Sequence, residues 1–274
     1  GQLSIIGYDM LLPPLSSPTT YGKISGIGKA MDDLGFIIGM AITLPLVNHF
    51  GRVHAFAPAG VLFLILALPM IFLLKDHPIT KVVPTASLRQ LLADLKVVLK
   101  NKNILLFLLF FYFFSDALLT AMAFFPIYFN QVFGLADTQK VVLTASLLVG
   151  TVIGAAVWGK ISDAISKKRA LMTCSILLTL GFLLIPAFTG GWGIWVIAPI
   201  LGLFWGGYYA VSRAFIILLS PPNQLGRFLS MFTIFRRFAS VIGPLMWGVS
   251  VALFTYLRPV NKYRVSIFPL VLMM

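Results

Sequence analysis

From Tyr209 to Gly248 the chain reads YAVSRAFIILLSPPNQLGRFLSMFTIFRRFASVIGPLMWG, two apolar runs joined by a turn at Pro221-Pro222-Asn223. Runs of about 20 apolar residues are long enough to cross a bilayer as helices. Yet Arg213 stands in the first run, and Arg236 and Arg237 stand in the second. An arginine at mid-bilayer costs about 2.5–3.5 kcal/mol on insertion scales, so these three must face protein or water and rank as functional candidates. This combination restricts the fold to helices that shield one another's charges.

The stretch has an echo 204 residues earlier: Leu219, Ser220, Pro222, Gly226, Ile242 and Gly243 fall on Leu15, Ser16, Pro18, Gly22, Ile38 and Gly39. Arg213, Arg236 and Arg237 fall on Asp9, Asp32 and Asp33, so the buried charges are inverted. Two parallel halves of a transporter, related by an axis along the membrane normal, produce a repeat of this kind.

Composition supports the membrane reading, with 59% hydrophobic and 11% charged residues and a mean hydropathy of +0.97, against roughly 25% charged residues in soluble domains. The net charge of +13 would suit nucleic acid, but the cations sit in short turns between spans. That is the positive-inside pattern, and no nucleic-acid partner is expected. Of the 21 cations, twelve fall in loops on the side of the Lys75–Asn103 segment, and Arg52, Lys140, Arg258, Lys262 and Arg264 on the other. The first side is therefore expected to be cytoplasmic. The single Cys174 permits no intrachain disulfide.

In chain order, residues 1–14 read as a helix tail, Ser17-Pro18 as the cap and first turn of a helix to about Val47, and Ala55–Leu74 as the next span. Ser87, Gln90 and a leucine stripe between them and Lys100 make an amphipathic surface helix within the polar linker 75–103. Further spans cover about Ile104–Phe129, Val141–Ile161, Ala170–Phe188, Trp192–Leu219 and Leu225–Tyr256, with another begun near Val265. The expected fold is all-α: a polytopic membrane protein with about seven complete transmembrane helices and partial helices at both ends. Its domains are the end of one bundle (1–74), the linker (75–103) and a second bundle (104–274). Gly35 and Gly39 on one helix, and Gly150, Gly154 and Gly159 on another, have the spacing of close helix contacts. Lys29 can pair with Asp33 at i,i+4, and Asp116, thirteen residues into its span, is expected to pair with Arg237.

Gly159-x-x-x-Asp163, followed by Lys167-Lys168-Arg169, resembles the cytoplasmic loop motif of the major facilitator superfamily. In that motif a glycine lets two helices approach and an Asp charge network latches one side. Ala164 and Ser166 replace its usual Arg and Gly. Tyr8-x-x-x-Leu12-Pro13, Ser25-x-x-Gly28-x-Ala30, Ser115-Asp116, Ser212-Arg213 and Arg237-Phe238-Ala239-Ser240-x-x-Gly243-Pro244 resemble the vacuole-effluxer-like branch, whose autophagy-related fungal members export amino acids. The resemblance covers nearly the whole chain, as helix 4 to the start of helix 12 of a twelve-helix protein truncated at its N-terminus. The branch usually has Gly-Tyr where Asp32-Asp33 stands here.

These features imply a secondary permease of a small solute, with amino acids the candidate class and a proton the candidate coupling ion, working by alternating access. The candidate substrate, coupling or gate residues are Asp9, Lys29, Asp32, Asp33, Asp116, Arg213, Arg236 and Arg237. The candidate latch residues are Gly159, Asp163, Lys167, Lys168 and Arg169. A non-transporting membrane scaffold or receptor derived from such a permease is the alternative. No phosphate loop surrounds Gly28-Lys29-Ala30, and His49, His54 and His77 fall in loops at unrelated depths. No enzymatic activity, cofactor or metal is expected. The expected location is a multi-pass protein of the cell (inner) membrane rather than a vacuolar one.

Overall fold

Long apolar sequences with glycine and proline at their ends become long helices, and the described residues form little else. A computed structural model describes residues 17–51, 53, 56–73, 96–98, 100–188, 192–221 and 224–274; the expected helix tail at 1–14 and most of the surface helix at 87–100 lie outside them. The helices are α1 (Tyr21–Phe50), α2 (Phe56–Leu73), α3 (Lys102–Phe133), α4 (Asp137–Ala164), α5 (Lys167–Leu184), α6 (Gly193–Leu219), α7 (Leu225–Phe238), α8 (Ile242–Leu253), α9 (Pro259–Val265) and α10 (Phe268–Met273). No strand occurs among the described residues. Among the described residues six segments are long and apolar enough to cross a membrane: Tyr21–Val47, Lys102–Phe133, Asp137–Ala164, Lys167–Ala187, Gly193–Leu219 and Leu225–Leu253. The apolar α2 adds a further helix of 18 residues. The molecule is an all-α polytopic membrane protein.

Boundaries follow local chemistry. The Asn101 side chain accepts the Ile104 N–H at 3.3 Å and starts α3 at Lys102, two residues earlier than the apolar pattern suggested. Gly134, with φ 64°, stops it in the left-handed conformation that glycine adopts freely. α1 runs past Val47 to Phe50, which puts His49 in its last turn and not in a loop.

The largest difference from expectation is at Leu225–Tyr256, which is not one helix. It breaks at Ala239-Ser240-Val241, between α7 and α8. Pro244, in the first turn of α8, has no N–H and cannot complete a continuous helical ladder there.

α6 lies against α4, α5 and α1, and α3 packs on α7 to α10. Backbone contact explains the first group. A methyl on Gly150 would strike the Pro199 carbonyl, and one on Gly159 would sit 2.5 Å from the Gly22 carbonyl and 3.0 Å from Gly26 Cα. The expected packing of this glycine row is therefore present, with α6 on one side and α1 on the other. Gly35 and Gly39 do not serve that purpose, because open space adjoins both among the described residues. Around α3 the core is aromatic: Phe111 and Phe232 ring centroids lie 4.2 Å apart, and Phe114 stacks on Tyr208 at 4.6 Å. Leu180, Leu184, Ile200 and Val196 remain about half exposed, as lipid-facing side chains should be.

Candidate functional site

Charge gathers at three levels along α1, α6 and α7. At one end, Asp163 of α4 receives the Gly22 N–H at 2.9 Å and the Lys23 N–H at 2.7 Å. These are first-turn donors of α1, which no intrahelical partner can satisfy, and Thr20 supplies no side-chain cap. Asp163 thus caps a helix to which it does not belong. Lys167 holds Asp163 at 3.0 Å and donates to the Pro18 carbonyl at 2.9 Å. Gly159 permits the approach by lying against Gly22 and Gly26. Of the five candidate latch residues, Gly159, Asp163 and Lys167 are brought together. Lys168 and Arg169 are exposed.

One turn deeper, Arg213 of α6 reaches α1. Its Nε donates to Ser25 Oγ at 2.9 Å and its Nη2 to the Ser25 carbonyl at 2.7 Å. Ser25 Oγ in turn donates to the Ala210 carbonyl at 2.6 Å. Asp9, the expected opposite of Arg213, lies outside the described residues.

The middle level contains the acidic pair and one of the arginines. Lys29 bonds Asp33 at 2.5 Å and Asp32 at 3.0 Å, so the i,i+4 pairing on α1 is present. Asp33 is 7% exposed, and its Oδ2 is buried with no hydrogen-bond partner. An unmet buried carboxylate oxygen is expensive, and calls for a donor that the described residues do not provide. Across from it stands the Tyr209 ring, with Lys29 Nζ 5.8 Å from its centroid on one side and Arg236 Cζ 5.6 Å on another. Two cations on two helices therefore share one aromatic ring. Arg236 and Arg237 occupy the last turn of α7, where cations suit the negative helix end; both are exposed.

Asp116 faces protein, as expected, but its partner is not Arg237. It is completely buried; Oδ2 accepts the Ile242 and Gly243 N–H groups, each at 3.0 Å, and Oδ1 accepts from Thr120 at 3.4 Å. The helix break explains this, because it exposes a fresh N-terminus, and a carboxylate at that end gains from the helix dipole without an ion pair. The Gly243-Pro244 dipeptide inside an apolar run was the available signal for the break. Tyr209 had no comparable signal: Tyr208 and Tyr209 are adjacent, and only their rotation about α6 decides which one meets the charges.

Helix ends capped across the bundle, charges at mid-span and a discontinuous helix make this a polytopic helical membrane protein. The chain belongs to the family described as Vacuole effluxer Atg22 like, whose profile matches residues 17–274. Relatives include an uncharacterised protein of Aquifex aeolicus (24% identical; 90% of this chain and 61% of that protein). They also include autophagy-related protein 22 of Botryotinia fuckeliana (26%; 81% and 41%) and the uncharacterised MFS-type transporter YxiO of Bacillus subtilis (23%; 97% and 64%). The chain thus spans between 41% and 64% of the length of these relatives.

Proposed function

We propose that this chain forms the greater part of a secondary permease that moves amino-acid zwitterions by alternating access, coupled to protons, in the cell membrane. In this reading α1 and α2 belong to a first bundle and α3 to α10 to a second, with the polar segment 75–103 as their linker. The substrate lies between α1, α6 and α7. The observation that carries the reading is the facing arrangement at Tyr209. On α1, a buried Asp33 oxygen lacks a donor; on α7, a guanidinium flanks the same ring. A ligand with an ammonium at one end and a carboxylate at the other would supply both missing partners. The relative described as an MFS-type transporter and the family description as a vacuole effluxer support transport of a solute.

The test is uptake of radiolabelled neutral amino acids by the full-length protein in proteoliposomes under an imposed pH gradient. Concentrative uptake is expected, abolished by Asp33→Asn and reduced at least about tenfold by Arg236→Gln, the effect of losing one charge-assisted contact. Failure to accumulate or exchange any amino acid would refute the proposal and favour a non-transporting scaffold.

A further inference from the structure

Asp116 is a fully buried carboxylate, and none of the four ion pairs among the described residues includes it. It binds α8 through that helix's first two N–H groups. The third residue of α8, Pro244, has no N–H, so one carboxylate oxygen takes every donor the first three residues offer. Val241, the residue preceding α8, makes no side-chain cap. The attachment is close: a methyl on Gly243 would collide with Thr120 and come within 2.7 Å of Asp116 Oδ1. Immediately before it, Ala239-Ser240-Val241 interrupts the helical ladder, leaving a joint bounded by α7 and α8.

We propose that Asp116 is a proton-binding site, and that the proton competes with the N-terminus of α8 for the same oxygen. The name "coupling proton" rests on the transporter reading; the competition does not. A proton from water added to Oδ2 turns an acceptor into an O–H donor that faces two N–H donors. A proton on Oδ1 leaves the acceptor in place but removes the charge that makes these bonds strong. The docked helix end needs the charged carboxylate, and a bound proton removes that charge. The two occupants thus oppose each other, which is the requirement for a ligand to shift a conformational equilibrium. Docked α8 is the deprotonated state, and protonation releases α8 about the joint at Ala239–Val241.

The surroundings leave this balance to Asp116. On α3 itself, Tyr112 precedes it by one turn. α7 presents Arg236 and Arg237 in its last turn, and α6 presents Tyr208, Tyr209 and, one turn on, Arg213. α8 and α10 contain no titratable side chain. α9 carries Lys262, Tyr263 and Arg264 toward the far end of α3, where Arg264 donates to the Phe188 carbonyl. α4 has charges only near its ends, at Asp137, Lys140, Lys160 and Asp163.

The experiment needs no substrate. In the full-length protein with Cys174→Ser, Ser240→Cys reports the joint, and Ser17→Cys, also exposed, normalises for thiol reactivity. Maleimide labelling at 240 relative to 17 should rise at least about fivefold when the pH is lowered from about 8 to about 5. Asp116→Asn should label rapidly at both pH values, whereas Asp116→Glu should keep the pH response. An unchanged response in Asp116→Asn, or a parent protein with no response, overturns the proposal. Because the parent and Asp116→Glu both report, instability of the asparagine variant does not decide the outcome. Transport without this switch would sink the proton site alone, and the switch without transport would sink the permease reading alone.

Discussion

Replacing Asp163 by asparagine should open the end of the molecule where α1 meets α4. The wild-type carboxylate makes two charge-assisted bonds, to Gly22 N at 2.9 Å and Lys23 N at 2.7 Å, and pairs with Lys167. Asparagine keeps one acceptor, which holds a single N–H, and carries no charge for Lys167 or for the helix end. One hydrogen bond to a charged group contributes about 1.5–3 kcal/mol, and the helix-end charge a further ~0.5–1 kcal/mol. The Lys167 bond to the Pro18 carbonyl is common to both proteins and leaves the difference unchanged. The net bias against the closed end is therefore about 2–4 kcal/mol, or a factor of roughly 30–900 in the closed-to-open ratio. Spin labels at the exposed positions 23 and 160, in a Cys174→Ser background, measure that ratio by pulsed dipolar spectroscopy. The parent should show a dominant short distance, and Asp163→Asn a second, longer population comparable to or larger than the first. Superimposable distance distributions would refute the assignment of Asp163 as the clamp.

Gly159→Val should act at the same end by a different cause, since its side chain would overlap the Gly22 carbonyl. An overpacked contact costs about 1–3 kcal/mol, and the same spin-label pair should show the longer distance. Arg213→Lys should weaken the α1–α6 contact although charge is kept. An ammonium cannot reproduce the planar fork that reaches both Ser25 Oγ and the Ser25 carbonyl, and cross-linking between cysteines at 28 and 209 should slow. Cysteines placed at Lys81 and Lys168 should both resist an impermeant reagent added outside intact cells, whereas one at Lys140 should label. Labelling of 81 or 168 would overturn the topology drawn from cation counts.

Helix identity was legible because it depends on local apolar length, and most spans lie within about a turn of the apolar pattern. The Gly150-Gly154-Gly159 row was legible for the same reason: spacing on one helix determines a face. Gly35 and Gly39 have equivalent spacing but adjoin open space among the described residues, because a face becomes an interface only if another helix arrives. The Lys29–Asp33 pair is a within-helix contact and could be read at i,i+4. Asp116 could be placed at depth but not assigned a partner, because equal depth with Arg237 ignores backbone donors. Those donors became available only when α7 and α8 separated. The clamp at Asp163 was suggested by a motif, but its partner, the first turn of α1, lies 140 residues away and no pattern names it.

The two copies of the repeat now have a structural register. α1 begins at Tyr21 and α7 at Leu225, the same 204-residue offset that aligns Asp32-Asp33 with Arg236-Arg237. The copies then diverge: α7 stops at Phe238, whereas α1 continues through the corresponding position 34 to Phe50. Pro244 accounts for this, since Met40 stands in the matching place on α1 and keeps its N–H. No bond joins the charges at equal register among the described residues; Arg236 flanks the Tyr209 ring, as does Lys29, the partner of Asp33. If a ligand links them, Asp33 and Arg236 should be independent without it and coupled with it. A double-mutant cycle of Asp33→Asn and Arg236→Gln should therefore be additive within about 0.5 kcal/mol in apo thermal stability, and deviate by about 1 kcal/mol or more in apparent substrate affinity. Coupling of equal size in the apo protein would mean that the two groups act on each other directly, and additivity in both measurements would remove the shared site.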